Sequence, residues 1–297
     1  VGLGQALEAG KLGDLSADLV RAIVEEAGRF AGERVAPLLR SGDVHPARLK
    51  DGVVTTPPGW RELYRDWCEG GWNALSGPVE YGGQGLPAML SVVAQEMWNS
   101  GSMAFAVGPT LTIGAVEALA AHGSEALKAT YLPKMVSGEW TGTMNLTEPQ
   151  AGSDLGALKA RAERQADGTY RIFGQKIFIT YGEHDLTDNI IHLVLARLPD
   201  APAGTRGISL FLVPKFLVEA DGSLVPRNDV TLAGLNHKMG YKATTNCALN
   251  FGENGDCVGY LIGQENHGLG YMFQMMNEAR IAVGLGATAL GQCAYQA

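Results

Sequence analysis

The apolar periodicity of this chain changes twice, and the two changes limit its fold more than any single motif. Up to about Trp140 apolar residues recur at helical spacing; from Gly142 to about Phe251 they fall in short runs rich in Ile, Leu and Val; from Gly263 the helical spacing returns. In the first region "LSADLVRAIVEEAGRFAGERVA" sets Leu19, Ile23, Phe30 and Val35 near three-to-four spacing, with Ser16 as N-cap and Pro37 as stop. Further helices are expected over 58–70, 89–99, 110–122 and 124–137, the last capped by Ser124, with "YGGQG" at 81–85 a turn between them. The 110–122 stretch is apolar but for Glu117 and His122, so it must be buried on most sides. In the second region Asp167-Gly168 is a hairpin signature, and "NIIHLVLARL" and "GISLFLVPK" read as strands of a β core. No helix-length pattern separates these strands, so the sheet is expected to be antiparallel rather than doubly wound. The expected fold is therefore α+β and multidomain: an N-terminal helical domain over 1–140, a central antiparallel β-domain over 141–262, and the start of a C-terminal helical bundle over 263–297.

Composition narrows the function. With 46% hydrophobic and 18% charged residues in 297, the chain can bury a large core. The net charge of −8 comes with scattered Lys and Arg and no basic cluster, which argues against sustained contact with nucleic acid. A small anionic ligand is not excluded, since a local site can be basic. Cys68, Cys247, Cys257 and Cys293 form no CxxC pair, and no HxxxH or HExxH spacing occurs, so neither a zinc site nor a disulfide framework is expected. No apolar run is expected to reach the roughly 18 to 20 residues of a membrane span, and no signal segment opens the chain. These observations lead us to expect a soluble, cytoplasmic protein without a metal.

The stretch "MNLTEPQAGSD", Met144–Asp154, runs from strand-like pattern into a proline and a glycine, with hydroxyls and carboxylates at the corner. It suits a phosphate-bearing or flavin-type ligand, or else Pro149 and Gly152 simply reverse the chain. About thirty residues on, "GQKIFIT" puts Phe178 and Thr180 two apart on a strand and so on one face. An aromatic plane beside a hydroxyl suits a flat, hydrogen-bonding ring; a core strand with a satisfied threonine gives the same pattern. Thr147 and Ser153 add hydroxyls, and the backbone amides around them could face a pyrophosphate. No GxGxxG between strand and helix, no Walker A pattern and no GxSxG elbow is present. Arg280, with Asn277 three residues earlier, enters an otherwise apolar helix; it would meet a substrate anion or polar head, or a salt-bridge partner such as Glu278.

Taken in order, "LTEPQAGSD", "GQKIFIT", "HKMGYKATTNCALNF" and "MNEARIAVG" resemble the acyl-CoA dehydrogenase family across essentially the whole chain. "YGGQGLP", "HKMG" and "MFQMMNEAR" are similar to its longer branch, which includes the methylmercaptopropionyl-CoA dehydrogenases. The resemblance implies FAD as cofactor, held by Met144, Leu146, Thr147, Gly152, Ser153, Phe178, Ile179 and Thr180. Thr147 would bond the pyrimidine side of the flavin, Phe178 would stand where the family usually has tryptophan, and Thr180 would donate near N5. Ser153, Asn277 and Arg280 would contact an acyl-CoA substrate. The implied reaction removes an α-proton and a β-hydride to give a trans-2-enoyl-CoA, with electrons passed to an electron-transfer flavoprotein by a homodimer or homotetramer. In most of the family the catalytic glutamate lies in a part of the C-terminal bundle beyond the position of Ala297. A minority place it where this chain has Ala279, and Glu278 is one residue off, about 100° around a helix. The base is thus expected beyond Ala297, and the chain is expected to lack most of the C-terminal helical domain. Two other functions fit the same fold: an acyl-CoA oxidase, and a flavin-binding, DNA-associated alkylation-response protein.

Overall fold

In a computed structural model, which describes residues 2–12 and 15–297, helices come first, strands follow, and one long helix closes the chain. The opening helices are α1 (Leu3–Glu8), α2 (Ala17–Phe30) and α3 (Leu39–Val44), and a small hairpin of β1 (Arg48–Lys50) and β2 (Val53–Thr55) follows them. Next come α4 (Trp60–Glu69), α5 (Ala88–His122) and α6 (Glu125–Ser137). The caps act as expected: the Ser16 hydroxyl accepts from the Leu19 amide and that of Ser124 from the Leu127 amide. Pro37 does not stop the first helix. A π turn over Ala31–Val35 leads into a 3₁₀ turn over Ala36–Leu38, whose first residues need no N–H partner, and α3 continues from it. The stretches expected as separate helices at 89–99 and 110–122 both belong to α5, which breaks where Ser102 is extended, at φ −165° and ψ 104°.

One expectation fails on α5. By length and composition this helix could cross a membrane, yet 67% of its most apolar window is buried inside the fold. It is a core helix, shared by two apolar clusters. Its first half meets α2 and α4 around Trp60, Trp67, Trp72, Trp98 and Phe105, with Trp67 and Trp98 edge-on at 4.2 Å between ring centroids. Its second half packs on α6 and the sheet.

The strands are β3 (Trp140–Asn145), β4 (Arg161–Arg164), β5 (Tyr170–Thr180), β6 (Asn189–Arg197), β7 (Ile208–Pro214), β8 (Phe216–Val218), β9 (Leu224–Arg227), β10 (Val230–Leu235), β11 (Asn246–Phe251) and β12 (Val258–Ile262). The main sheet has the order β10-β11-β5-β12-β7-β6-β3, with β4 beside β5, and β8–β9 form a separate ribbon. Its pairs are antiparallel except at β6, which runs parallel to β3 and touches β4 in one parallel bridge. A parallel neighbour needs a long connection, and the stretch from Leu146 to Asp188 supplies it. Asp167-Gly168 turns the β4–β5 hairpin, with Gly168 at φ +83° and the Asp167 carboxylate bonded to Thr169. The four cysteines are free, and no group of potential metal ligands occurs among the described residues.

The last helix, α7 (Gly268–Gln296), lies against α5 and β7. Where α5 meets α7, burial first and the neighbouring Glu278 second push the Glu117 carboxyl up to about 7, against a pull back from Gln274. The folded chain therefore holds a proton that the unfolded chain, at 4.5, has lost. That contribution is complete below about 4.5 and gone above about 7. Chemical denaturation should show this contribution as a loss of stability between about pH 4.5 and about 7 that is smaller in Glu117→Gln; equal slopes would refute this.

Candidate cofactor and substrate site

Strand β3 enters the loop that carries most of the candidate residues. Glu148 and Ala151 exchange backbone hydrogen bonds of 2.9 and 3.0 Å, so Pro149 and Gln150 form the corner. Gly152 comes after the turn, not within it. A Cβ built on Gly152 meets nothing within 4 Å, and its φ is not positive, so nothing in the chain itself calls for glycine there. Beyond it the Asp154 carboxylate accepts from the Gly156 amide at 3.0 Å and closes a short 3₁₀ turn. The amides of Thr147, Gly152, Ser153 and Asp154 have no partner among the described residues, nor do the Thr147 and Ser153 hydroxyls. Gly152, Ser153 and Asp154 are also exposed, so a row of donors faces outward.

A buried ion pair holds this loop to the second motif. Lys176, 0% exposed, donates to Glu148 Oε1 at 2.8 Å and to the Leu146 carbonyl at 3.0 Å. Glu148, 3% exposed, also accepts from the Ala160 amide at 3.0 Å, the Lys159 amide at 2.7 Å and Gln150 Nε2 at 2.6 Å. Burial pushes Lys176 down to about 8, with Glu148 opposing. Burial alone would raise the Glu148 carboxyl, but Lys176 and the two backbone amides outweigh it and hold it below the usual range. Both partners are charged at neutral pH. Neither was singled out from the sequence, although a lysine in the strand segment "KIFI" is itself a sign that an anion lies nearby.

The two motifs therefore lie side by side. The Ile177 amide donates to the Thr147 carbonyl at 2.9 Å, and the Thr143 hydroxyl donates to the Thr180 carbonyl at 2.6 Å. On β5 three residue steps from Lys176 to Ile179 oppose two on β11, from Leu249 to Cys247. This bulge holds Phe178 at φ +60°, a costly conformation for an aromatic residue, with the side chain 63% exposed. Ile179 is buried, and Phe178 and Thr180 flank it. Asn236 Nδ2 donates to Asn246 Oδ1 at 2.6 Å, which turns Asn246 Nδ2 onto the Thr180 hydroxyl at 3.2 Å. Thr180 is thus an acceptor in this contact, and its own hydroxyl proton is free to donate. Met144 is half-buried and Leu146 buried at the head of the loop.

The α7 residues form a separate group. Asn277 and Arg280 are exposed, and no hydrogen bond joins them to the loop among the described residues. Arg280 forms no salt bridge among the described residues; its guanidinium lies 5.7 Å from the Phe273 ring centroid. Glu278 is half-buried and acts on Glu117 of α5.

Comparison with known proteins gives this geometry a context. The family described as acyl-CoA dehydrogenase, N-terminal domain, matches residues 18–139, and the acyl-CoA dehydrogenase middle domain matches residues 143–253. The chain is 50% identical over 283 residues to a 3-methylmercaptopropionyl-CoA dehydrogenase of Ruegeria pomeroyi, covering 95% of this chain and 48% of that protein. The chain spans about half the length of this relative, and a similar share of the other relatives first matched in sequence. In structure it is similar to butyryl-CoA dehydrogenase from Megasphaera elsdenii, with a TM-score of 0.75 at 24% identity over 94% of this chain and 67% of that one. It is also similar to an acyl-CoA dehydrogenase complexed with FAD from Bacillus anthracis, with a TM-score of 0.73 at 25% identity over 93% of this chain and 42% of that one.

Two glycines in the motifs should respond oppositely to alanine. Gly174 has φ +138°, and a Cβ there would lie 2.9 Å from the Ala160 Cα, so Gly174→Ala should cost about 2 kcal/mol or more in urea denaturation. Gly152→Ala should stay within about 0.5 kcal/mol of the parent. A large loss at Gly152 would mean that the fold itself requires glycine there.

Proposed function

The chain belongs to the acyl-CoA dehydrogenase family, and from that we propose that it serves the FAD-dependent α,β-dehydrogenation of an acyl-CoA thioester to a trans-2-enoyl-CoA. The observation that carries this reading is the set of amides at Thr147, Gly152, Ser153 and Asp154 that have no partner among the described residues, on a loop held against a strand that exposes Phe178. A flavin's polar edge and phosphate-bearing tail need such donors, and its ring system needs an apolar plane. Bound FAD would supply the hydride acceptor for the substrate β-carbon. Thr147 would donate to the pyrimidine edge, Phe178 would lie against the ring system, and Thr180 would direct its free proton toward N5. The small Gly152 would let the backbone approach the cofactor, a role consistent with the open space where its Cβ would be.

On the substrate side, Arg280 and Asn277 present unpaired polar groups on an otherwise apolar helix. Ser153 would meet substrate and cofactor together. Removal of the α-proton calls for a carboxylate. Glu278 is a poor candidate because it lies about 100° around the helix from the position of Ala279, and we place the base in the further length that the relatives have. Electrons would pass to an electron-transfer flavoprotein, from a homodimer or homotetramer in the cytoplasm.

The test is an anaerobic titration of the FAD-loaded protein, expressed from its whole gene, with butyryl-CoA and 3-methylmercaptopropionyl-CoA, followed by visible absorption. The flavin bands should bleach with at least one thioester, and Gly152→Val should weaken FAD binding about tenfold or more while leaving the melting temperature close to the parent. Bound flavin that no acyl-CoA reduces would overturn the dehydrogenase reading.

A further inference from the structure

The Lys176 ammonium bonds the Leu146 carbonyl at 3.0 Å, and that carbonyl shares one peptide group with the Thr147 N–H. A cation on an amide oxygen draws electron density through the conjugated C–N bond and leaves the N–H more positive. Hydrogen bonds in series strengthen one another in this way, most of all when one end is charged. The far end of this series, the Thr147 N–H, has no partner among the described residues. The counter-charge is disposed differently: the Glu148 carboxylate takes Lys176, the Lys159 and Ala160 amides and Gln150, and makes no contact with the Leu146 carbonyl. The ammonium bonds the Leu146–Thr147 peptide directly, and the carboxylate shares no hydrogen bond with it among the described residues.

We propose that Lys176, acting through the Leu146–Thr147 peptide, sets the reduction potential of the bound flavin. The inference rests on the FAD reading above, in which Thr147 meets the pyrimidine edge. Reduction gathers negative charge on that edge, so a more positive Thr147 N–H favours the reduced cofactor and holds the potential up. Lys176 touches neither cofactor nor substrate; it is a positioning and polarising residue that works through the backbone. Glu148 moderates it and also helps Lys176 keep its proton, so at a pH acid enough for the unpaired lysine to stay charged, removing each partner should move the potential in opposite directions. A purely structural pair would not behave so, since loss of either half would loosen the same loop and shift the potential one way.

The test is the midpoint potential of FAD in the holoprotein from the whole gene, measured by equilibration with reference dyes over a pH series and compared at its acid end, where Lys176 keeps its proton even without Glu148; toward alkaline pH the rise in the Glu148 variant should vanish. Lys176→Gln should lower the potential and Glu148→Gln should raise it. Each shift should be about a tenfold change in the redox equilibrium constant, or about 30 mV for a two-electron couple. The Lys176→Met/Glu148→Gln double variant leaves no unpaired buried charge, so it decides the matter if a single variant fails to fold. It should lie below the parent. Shifts of the same sign in both single variants, or an unshifted double variant, would overturn the proposal. Parent protein that takes up no FAD would sink the cofactor reading and this inference together, whereas normal uptake with same-sign shifts would sink this inference alone.

Discussion

The candidate site depends on burying one lysine beside one glutamate. Taking two charges out of water costs several kcal/mol each, and the attraction between them offsets that only when the remaining bonding capacity is filled. Here it is: Glu148 receives four donors and Lys176 reaches a carbonyl as well as the carboxylate. Apart from the local Gln150 contact, those bonds run between β5 and the loop after β3, or between the two ends of that loop. The pair thus does more than fill a hole in the core. It fixes where Thr147 lies and brings residues 159 and 160 back beneath the turn, so that the exposed donors around Gly152 and Ser153 sit on a rigid base.

A second constraint joins the helical part of the chain to the sheet. Gly142 on β3 faces α5 so closely that a Cβ there would come within 2.5 Å of the Ala115 Cβ, and its amide donates to the Thr112 hydroxyl at 3.1 Å. Close approach of backbone to helix is a reason for glycine that no turn pattern signals. The break in α5 at Ser102 has a matching function. The Thr244 hydroxyl from the "HKMGYKATTN" segment donates to the Ala104 carbonyl, two residues past it. That segment, which contributes to the family resemblance, is therefore docked on the kink, and it leads directly into Asn246, the residue that orients Thr180.

Much of this was legible in the sequence because it is local. The changes of period near Trp140 and Gly263, the Ser16 and Ser124 caps and the Asp167-Gly168 hairpin all depend on neighbours within a few residues. The features that could not be read depend on distant partners. Lys176 finds Glu148 28 residues away, and β3 finds β6 in parallel only after the whole β4–β5 hairpin has intervened. The left-handed conformation of Phe178 follows from the register of β11, which lies about seventy residues further along the chain. Pro37 misled because a local rule gave a stop where the chain runs on through a 3₁₀ turn, whereas the break at Ser102 falls in the gap expected between the 89–99 and 110–122 helices. The hydroxyls and the aromatic residue of the site were legible by type, but the ion pair that positions them was not.

One element sets the relation between the two halves of the site. The cofactor-side loop is anchored to β3, and β3 is pinned to α5 at Thr112 and Ala115. The substrate-side residues ride on α7, which meets α5 at Gly114, where a Cβ would lie 3.0 Å from Met275, and again at Gly286 against Asn99. Thr112, Gly114 and Ala115 lie within one helical turn, so α7 and β3 grip α5 at nearly the same height. Neither half bonds directly to the other among the described residues, and the spacing between them rests on α5 together with the packing of α7 on β7. Bulk at Gly114 would lift α7 away from α5 without touching the loop, and bulk at Gly142 would lift the loop without touching α7.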